Sequence, residues 1–300
     1  MINYIYQLIN PQFFSIKLCD VNTDGKVLVR PKYMSICHAD QRYYRGQRDM
    51  KILSKKLPMA LIHECCGEVL HDDTGTFKSG QLVVMIPNTP TRKLNYIYEN
   101  YDEKSKFLSS SDDGFMREFV DLSPDRVVPC DGIPPHIACI TEFYSVALHA
   151  VERMQNFAHS HRDEIAILGD GPLAYVVASS IRERIPKAHI TVIGRRVRKL
   201  ERFSFVDKTY LAYDLPKDYS CDHAFECCGG EGSYDAINDI ITHIRPQGTV
   251  LLMGVSENQI PIDTRTILEK GLTVVGSSRS GKKNFEDAVA LMQTQRIRRR

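Results

Sequence analysis

The chain has 300 residues, which exceeds the usual size of one hydrophobic core, so we expect two domains. Its formal net charge of +2 is nearly neutral and spread out, which argues against a nucleic-acid partner or an anionic membrane surface. No apolar run of about 18 residues and no signal-peptide pattern are present, so we expect a cytoplasmic protein without a membrane segment. Nine cysteines, an odd number, favour reduced thiols and a metal site over disulfides.

The first half of the chain reads as short β-strands separated by turns. Strand patterns cover 26–31, 82–86 and 115–120, whereas the polar stretch 88–113 predicts a long surface loop. A helical pattern at 137–153 leads into the second half. We expect this helix to join the two domains.

The stretch 164–174 reads as a buried strand that runs into a glycine-rich turn and a helix. Gly169, Gly171 and Ala174 fit G-x-G-x-x-[G/A], in which the first glycine permits the turn and the second admits a pyrophosphate. The pattern alone also fits an ordinary strand-to-helix turn. The residues predicted to bind the cofactor here are Gly169, Asp170, Gly171, Pro172, Leu173 and Ala174.

A second apolar strand at 189–193 is followed directly by Gly194, Arg195 and Arg196. An NAD site would carry an acidic residue at this position to accept a hydrogen bond from the ribose 2′-hydroxyl group. Two arginines instead suit a 2′-phosphate, so we predict that NADP(H) is the cofactor. The alternative is that both arginines are the solvated start of a helix.

Strand and helix patterns alternate through the rest of the chain. They cover the strands 223–227, 249–253 and 272–276 and the helices 233–243, 264–269 and 284–292. Such alternation predicts a doubly wound parallel sheet, the Rossmann arrangement.

Cys37, His63 and Glu64 are candidate metal ligands, and Glu142 is a fourth contributor from the predicted joining helix. A thiolate, an imidazole and carboxylates suit Zn²⁺. Asp40 could accept a hydrogen bond from the His63 imidazole and fix its tautomer. Taken singly, these residues also fit a buried thiol, a core histidine and solvated carboxylates.

Together these residues and their order resemble the zinc-dependent medium-chain alcohol and polyol dehydrogenases. Several further blocks resemble the ribulose-5-phosphate reductases of that superfamily, also called ribitol-5-phosphate dehydrogenases. These blocks are 37–44 (CHADQRYY), 84–88 (VMIPN), 113–118 (DGFMRE), 225–230 (FECCGG) and 276–281 (GSSRSG). The resemblance covers nearly the whole chain.

The resemblance implies an α/β fold with two domains. Residues 1–140 would form a GroES-like, mostly-β catalytic domain, and residues 141–292 a Rossmann domain that binds NADP(H). Residues 293–300 would be a basic tail in place of the segment with which the family returns to its catalytic domain. The apolar strand 272–276 could pair with a second copy, so we expect a homodimer.

The implied activity is the NADPH-dependent, zinc-assisted reduction of D-ribulose 5-phosphate to D-ribitol 5-phosphate. This reaction would serve the synthesis of CDP-ribitol and of teichoic acids for the cell wall, with a cytidylyltransferase acting on the product. The resemblance implies that Cys37, His63 and Glu64 or Glu142 hold the zinc, and that Asp40 supports them. Candidates for binding the substrate phosphate are Arg42, Tyr43, Tyr44 and Arg45.

Arg279 stands where polyol dehydrogenases place an arginine near the nicotinamide and the substrate; otherwise it pairs with a surface carboxylate. Ala39 departs from the family, whose members usually carry a serine or threonine there that begins a proton relay. Two other functions stay open: a different polyol or alcohol dehydrogenase, and a catalytically inactive NADP(H)-binding protein.

Overall fold

The computed structural model describes residues 1–92 and 95–294, and their contacts divide into two units. One unit comprises Met1–Ser145 together with the residues from Arg279 onward, and the other comprises Val146–Ser278. Among the described helices, none combines the length and the apolar character that a membrane crossing needs.

The first unit is mostly β-structure. Its strands are β1 (Ile2–Asn10), β2 (Phe13–Asp20), β3 (Val27–Ser35), β4 (Met59–Ala60), β5 (Glu64–Asp72), β6 (Leu82–Met85), β7 (Asn88–Thr89), β8 (Lys106–Phe107), β9 (Val120–Leu122) and β10 (Val127–Pro129). Its helices are α1 (His38–Tyr44), α2 (Met50–Lys56), α3 (Pro135–Ala138), the first turn of α4 (Thr141–Phe157) and α9 (Lys282–Gln293).

An antiparallel sheet in the order β10-β6-β5-β3-β9 organises this unit, beside a smaller sheet in the order β2-β1-β4. Val29, Met85 and Phe115 are among the fully buried side chains of its apolar core. In β3 and β5, Ser35 is paired with Glu64. This register brings the residues just after β3 next to the residues just before β5.

The second unit is a six-stranded parallel sheet flanked by helices. Its elements are β11 (Glu164–Leu168), α5 (Pro172–Arg184), β12 (His189–Gly194), α6 (Val197–Leu200), β13 (Lys208–Leu211), β14 (Cys221–Glu226), α7 (Gly232–His243), β15 (Ile244–Leu252), α8 (Thr264–Lys270) and β16 (Thr273–Gly276). The order β13-β12-β11-β14-β15-β16 reverses direction between β11 and β14, which is the switch point of a Rossmann sheet.

The predicted fold class is therefore confirmed, while several local predictions need correction. The stretch 88–113 is not a simple surface loop, because it contains β7, β8 and a 3₁₀ turn at Glu99–Tyr101, and Phe107 is buried. The helix predicted at 137–153 is two helices, α3 and α4, with the Thr141 hydroxyl donating to the Ala138 carbonyl oxygen between them.

The strand predicted at 115–120 is also wrong in position, since the ladder strand is β9 at Val120–Leu122. The backbone N–H of Phe115 instead donates to the Ile62 carbonyl oxygen. Of the predicted basic tail 293–300, Gln293 ends α9, and residues 295–300 lie outside the described part of the chain.

Candidate active site

Cys37, His63 and Glu64 converge in the first unit. One donor atom from each, a thiol sulfur, an imidazole nitrogen and a carboxylate oxygen, lies within 4.8 Å of the other two. Cys37 precedes helix α1 as its N-cap residue, and His63 precedes strand β5, which Glu64 begins. The Ser35–Glu64 register explains the convergence, because it places these two chain segments side by side.

The Asp40 carboxylate supports the chain segments that carry this cluster. Its oxygens accept hydrogen bonds from the backbone N–H of Cys37 at 3.1 Å, from that of Ile62 at 3.0 Å and from the Ser109 hydroxyl at 2.7 Å. The Nδ1 atom of His63 lies 3.7 Å from Asp40 Oδ1, which is an ion-pair distance and longer than a hydrogen bond. Asp40 therefore fixes the backbone of both segments that carry the cluster.

Acidic side chains outnumber basic ones in and around the cluster, and they shift each other's pKa values. Burial alone lowers the pKa of His63, but Asp40, Cys37 and Glu142 outweigh it and raise that pKa well above the ordinary value. Burial raises the pKa of Glu142 to about 8, and it also raises the pKa of Glu64. For Asp40, burial is outweighed by His63 and the hydrogen bonds, which lower its pKa.

The His63 imidazole thus interacts with the Cys37 thiol and with three buried carboxyl groups, those of Asp40, Glu64 and Glu142. Its Nδ1 atom has no hydrogen-bond partner among the described residues. A divalent cation would neutralise this excess of acidic groups, and the donor types are those that zinc prefers. The residues present therefore fit a zinc ion.

Glu142 and Arg279 lie near the cluster without belonging to it. Glu142 is buried in the first turn of α4 and interacts electrostatically with His63 and Glu64, yet the three-residue set within 4.8 Å does not include it. Arg279 has a left-handed backbone with φ of 58°, and its guanidinium carbon lies 4.6 Å from the Phe107 ring centroid. The same ring lies 5.6 Å from that of His63.

The segment that carries Arg279 is fixed by contacts within the first unit. The Ser280 and Ser145 hydroxyl oxygens are 2.7 Å apart, and the Lys282 backbone N–H donates to Glu99 Oε1 at 2.6 Å. A side chain at Gly281 would place its Cβ 2.9 Å from the Glu99 Cγ atom. Only glycine therefore fits at that point without a shift of Glu99.

Of the four residues predicted beside Cys37 to bind the substrate phosphate, Tyr43 is buried, Arg42 is half-buried, and Tyr44 and Arg45 are exposed. Tyr43 is buried beneath the Arg48 guanidinium, whose carbon lies 4.9 Å from its ring centroid. Tyr44 stacks on Phe14 with ring centroids 6.1 Å apart. The tyrosines of this stretch are therefore engaged in packing contacts.

The glycine-rich turn of the second unit connects β11 to α5. Gly169 has a φ of 135°, and an added Cβ would lie 3.0 Å from the backbone of Cys227. An added Cβ at Gly171 would meet nothing within 4 Å, so this side of the turn is open to a ligand. Pro172 begins α5 and Ala174 is fully buried against the sheet, as the fingerprint requires.

Asp170 organises the two arginines that follow β12. Its Oδ2 atom accepts from the backbone N–H groups of Arg195 and Arg196, both at 3.0 Å, and Arg196 Nη2 lies 3.2 Å from Oδ1. An added Cβ at Gly194 would lie 2.7 Å from the Asp170 Cβ. The Arg195 and Arg196 side chains are largely exposed, and Arg195 Nη2 lies 2.9 Å from Asp235 Oδ2. Each guanidinium group would exchange its carboxylate partner to bind an added anion.

Sequence reasoning missed several residues that shape these two regions. Lys199 adds a third cation, 3.7 Å from Asp170, and its spacing of three residues from Arg196 in a helix was a usable signal. Ser109 and Phe107 had no such signal, because both fall in the polar stretch that predicted a surface loop.

Comparison with known families assigns this architecture to a class. Residues 23–134 match the alcohol dehydrogenase GroES-like domain, and residues 206–294 match the zinc-binding dehydrogenase domain. A ribulose-5-phosphate reductase of Streptococcus pneumoniae is 54% identical over 100% of this chain and 88% of its own. Ribulose-5-phosphate reductase 1 of Staphylococcus aureus is 49% identical over 97% of this chain and 86% of its own.

A solved structure gives the same result. The crystal structure of S. aureus TarJ in complex with NADPH matches with a TM-score of 0.86 and 45% identity, covering 97% of this chain and 85% of that one. The chain therefore belongs to the zinc-dependent medium-chain dehydrogenase family. The predicted family and enzyme class, a zinc-dependent oxidoreductase, are confirmed.

Proposed function

We propose that the chain reduces D-ribulose 5-phosphate to D-ribitol 5-phosphate with NADPH, for the synthesis of CDP-ribitol and of ribitol-containing wall polymers. The observation that carries the proposal is the convergence of Cys37, His63 and Glu64 in a chain that also presents arginines after β12. Relatives at 54% and 49% identity that are named ribulose-5-phosphate reductases support the choice of substrate.

Cys37, His63 and Glu64 are the residues that we propose to hold the zinc ion, with Glu142 as the fourth candidate. When bound, zinc supplies Lewis-acid polarisation of a carbonyl oxygen. Asp40 contributes by holding the backbone of Cys37 and Ile62, so that the donor atoms stay in place as charge develops nearby.

The second unit orients the cofactor. The open side of Gly171 and the uncapped start of α5 suit a pyrophosphate, and Arg195 and Arg196 suit the 2′-phosphate of NADPH. Asp170 fixes the backbone of both arginines, and their exposed guanidinium groups would exchange the carboxylates of Asp170 and Asp235 for that phosphate. Ala39 carries no hydroxyl group, so a residue or water elsewhere delivers the proton to the product alkoxide.

Several attributes of the whole protein are part of the same proposal. We place the enzyme in the cytoplasm, where NADPH and a cytidylyltransferase that consumes ribitol 5-phosphate would be available. Strand β16 is the last strand of its sheet and would pair with a second copy to form a homodimer. In the sequence we propose 1–140 and 141–292 as the limits of the catalytic and NADP(H)-binding domains, while the contacts of the structure group 141–145 and the residues from Arg279 onward with the first unit.

The decisive experiment measures NADPH oxidation by the zinc-loaded protein with ribulose 5-phosphate, with unphosphorylated ketoses, and after treatment with a chelator. Cys37→Ser and His63→Ala should each lower turnover by at least about 100-fold, because zinc polarisation contributes several kcal/mol. Both variants should still bind NADPH, since the cofactor residues lie in the other unit.

Cys19→Ser is the matched control, because Cys19 is a half-buried thiol outside the three-residue cluster. It should keep full activity and its zinc. Undiminished turnover of Cys37→Ser would refute the proposed zinc site. Preference for an unphosphorylated ketose would assign the chain to another polyol dehydrogenase, and NADPH binding without zinc or turnover would indicate an inactive binding protein.

A further inference from the structure

The short loop 107–111 connects the candidate metal cluster to two cationic side chains of the first unit. At one end of the loop, the Phe107 ring centroid lies 5.6 Å from that of the His63 ring and 4.6 Å from the Arg279 guanidinium carbon. Ser109, with a left-handed φ of 64°, donates its hydroxyl hydrogen bond to Asp40 at 2.7 Å. The loop is therefore built into the support of the cluster.

Lys56 joins the loop from the other side. It is the last residue of α2, and its ammonium group donates to the Ser110 carbonyl oxygen and to the Ser110 Oγ atom at 3.0 Å. These two bonds hold the ammonium group in one place, although a lysine at a helix end is usually free in solvent. The Ser110 hydroxyl accepts from Lys56, so its own hydrogen remains available to donate.

Lys56 and Arg279 contact the same short loop, through Ser110 and Phe107 respectively, and their positive charges oppose each other. Burial comes first among the causes that lower the pKa of Lys56, and the positive charges of Arg279 and Arg48 follow. Among the residues that the structure describes, neither Lys56 nor Arg279 makes an ion pair with a carboxylate. The carboxyl group that interacts electrostatically with Arg279 is Glu142, which lies on the side of the metal cluster.

Two half-buried cations that contact one loop, with no ion-paired carboxylate in the described part of the chain, suit an anion. Lysine offers a compact charge and arginine a planar fork, and both are standard donors to phosphate oxygens. Lys55, the exposed neighbour of Lys56, makes no hydrogen bond or ion pair with the residues that the structure describes. The location narrows the choice of anion further.

The Phe107 ring lies near both the cluster and Arg279, with its centroid 5.6 Å from that of the His63 ring and 4.6 Å from the Arg279 guanidinium carbon. In an extended pentulose 5-phosphate the phosphorus atom lies roughly 6 Å from the carbonyl carbon C2, so the two ends of one substrate would meet different groups around this ring. We propose that Lys56 and Arg279, with the Ser110 hydroxyl, bind the phosphate group of the substrate while its carbonyl group faces the cluster. This inference rests on the proposed function and assigns the residues that select a phosphorylated ketose.

The test compares Lys56→Gln with Lys56→Arg, and uses Lys55→Gln as the control on the same helix. Loss of a charge-assisted contact should raise the KM for ribulose 5-phosphate by about 10- to 100-fold while kcat changes little. Lys56→Gln should leave kcat/KM for unphosphorylated ribulose unchanged, because that substrate never uses the site. Lys56→Arg should restore most of the lost affinity, and Lys55→Gln should behave like the wild type.

A binding measurement without turnover complements the kinetics. Inorganic phosphate is titrated into the NADPH-saturated protein, so that the 2′-phosphate of the cofactor already occupies the site at Arg195 and Arg196. We expect phosphate to bind the wild type and Lys55→Gln equally, and Lys56→Gln at least about tenfold more weakly. Thermal unfolding of each variant confirms that the fold is retained.

The outcomes separate this inference from the proposed function. Equal phosphate affinity and equal KM in Lys56→Gln and the wild type would overturn the phosphate site, even if ribulose 5-phosphate is the substrate. Parallel loss of activity on phosphorylated and unphosphorylated ketoses would also overturn it. If ribulose 5-phosphate is not reduced at all but phosphate binding still depends on Lys56, the anion site stands and the proposed substrate fails.

Discussion

Acidification should destabilise the second unit through a single buried histidine, His223. Its ring is fully buried in strand β14, where Nε2 donates to the His161 carbonyl oxygen at 3.0 Å and Nδ1 accepts from the Thr249 backbone N–H at 3.1 Å. Both nitrogens are therefore satisfied only in the neutral form. A proton on Nδ1 would face the Thr249 N–H. The centroid of the His159 ring lies 4.4 Å from that of the His223 ring.

The size of the effect follows from the pKa of His223. Burial, and then the nearby His159, lower this pKa to about 4, against about 6.5 in an unfolded chain, while the His161 carbonyl oxygen and Asp222 act in the opposite sense. Because the unfolded state binds the proton more tightly, this stabilisation is complete above about pH 6.5 and is lost as the pH falls towards 4. Linkage gives a loss of about 2 kcal/mol between pH 7.5 and pH 5.

The assay is urea unfolding of wild type and His223→Gln at about pH 7.5 and pH 5, followed by a spectroscopic signal. Glutamine can donate and accept but does not titrate in this range, so the variant should lose about 2 kcal/mol less on acidification, whatever its stability at neutral pH. Release of zinc at low pH affects both proteins and cancels in the difference. His71→Gln, at an exposed histidine, is the control.

An equal acid-induced loss in the wild type and in His223→Gln would refute this reasoning. It would mean that the folded protein accommodates the charged imidazole, for example by turning the ring away from Thr249. A smaller loss in His71→Gln than in the wild type would likewise show that exposed histidines dominate the acid response.

Two further predictions concern the cofactors. Glu64→Gln and Glu142→Gln should differ in metal content by mass spectrometry: Glu64→Gln should lose zinc because its oxygen lies in the 4.8 Å set, whereas Glu142→Gln should retain most of it. The reverse order would make Glu142 the direct ligand. Arg196→Ser should weaken NADPH binding by about 10- to 100-fold and leave NADH binding unchanged, with the exposed Arg198→Ser as control; equal weakening for both cofactors would contradict a 2′-phosphate contact.

The Rossmann unit was predictable because each of its signals is local. The strands β11 and β12 are mostly apolar after their first residue, and the fingerprint glycines follow β11 directly. Both strands are buried on both faces of a parallel sheet, so apolar and polar residues do not alternate along them. Local sequence therefore predicts both the type of these elements and the position of the glycine-rich turn.

The catalytic unit was less predictable because its decisive relations are between distant residues. The ligand candidates could be chosen by chemistry, but the Ser35–Glu64 register that brings them together has no local signature. The polar composition of 88–113 led to the wrong prediction of a surface loop. In this stretch Asp102 is buried and accepts hydrogen bonds from the Thr91 backbone N–H and hydroxyl, both at 2.8 Å. A hydrogen-bonded polar side chain in the interior has the same composition as one in solvent.

Loops in both units are fixed in the same way, by a carboxylate that accepts hydrogen bonds from several backbone N–H groups. Asp40 accepts two backbone N–H groups beside the cluster, Asp170 accepts two after β12, and Glu226 accepts three at the end of β14. Charge-assisted bonds of this kind are stronger than neutral ones, and an amide in place of the carboxylate would offer only one acceptor oxygen. None of these three carboxylates is in the 4.8 Å donor set, yet each fixes a loop that a ligand would contact. Because the geometry of a site depends on such supports, a search for ligand residues alone finds only part of the machinery.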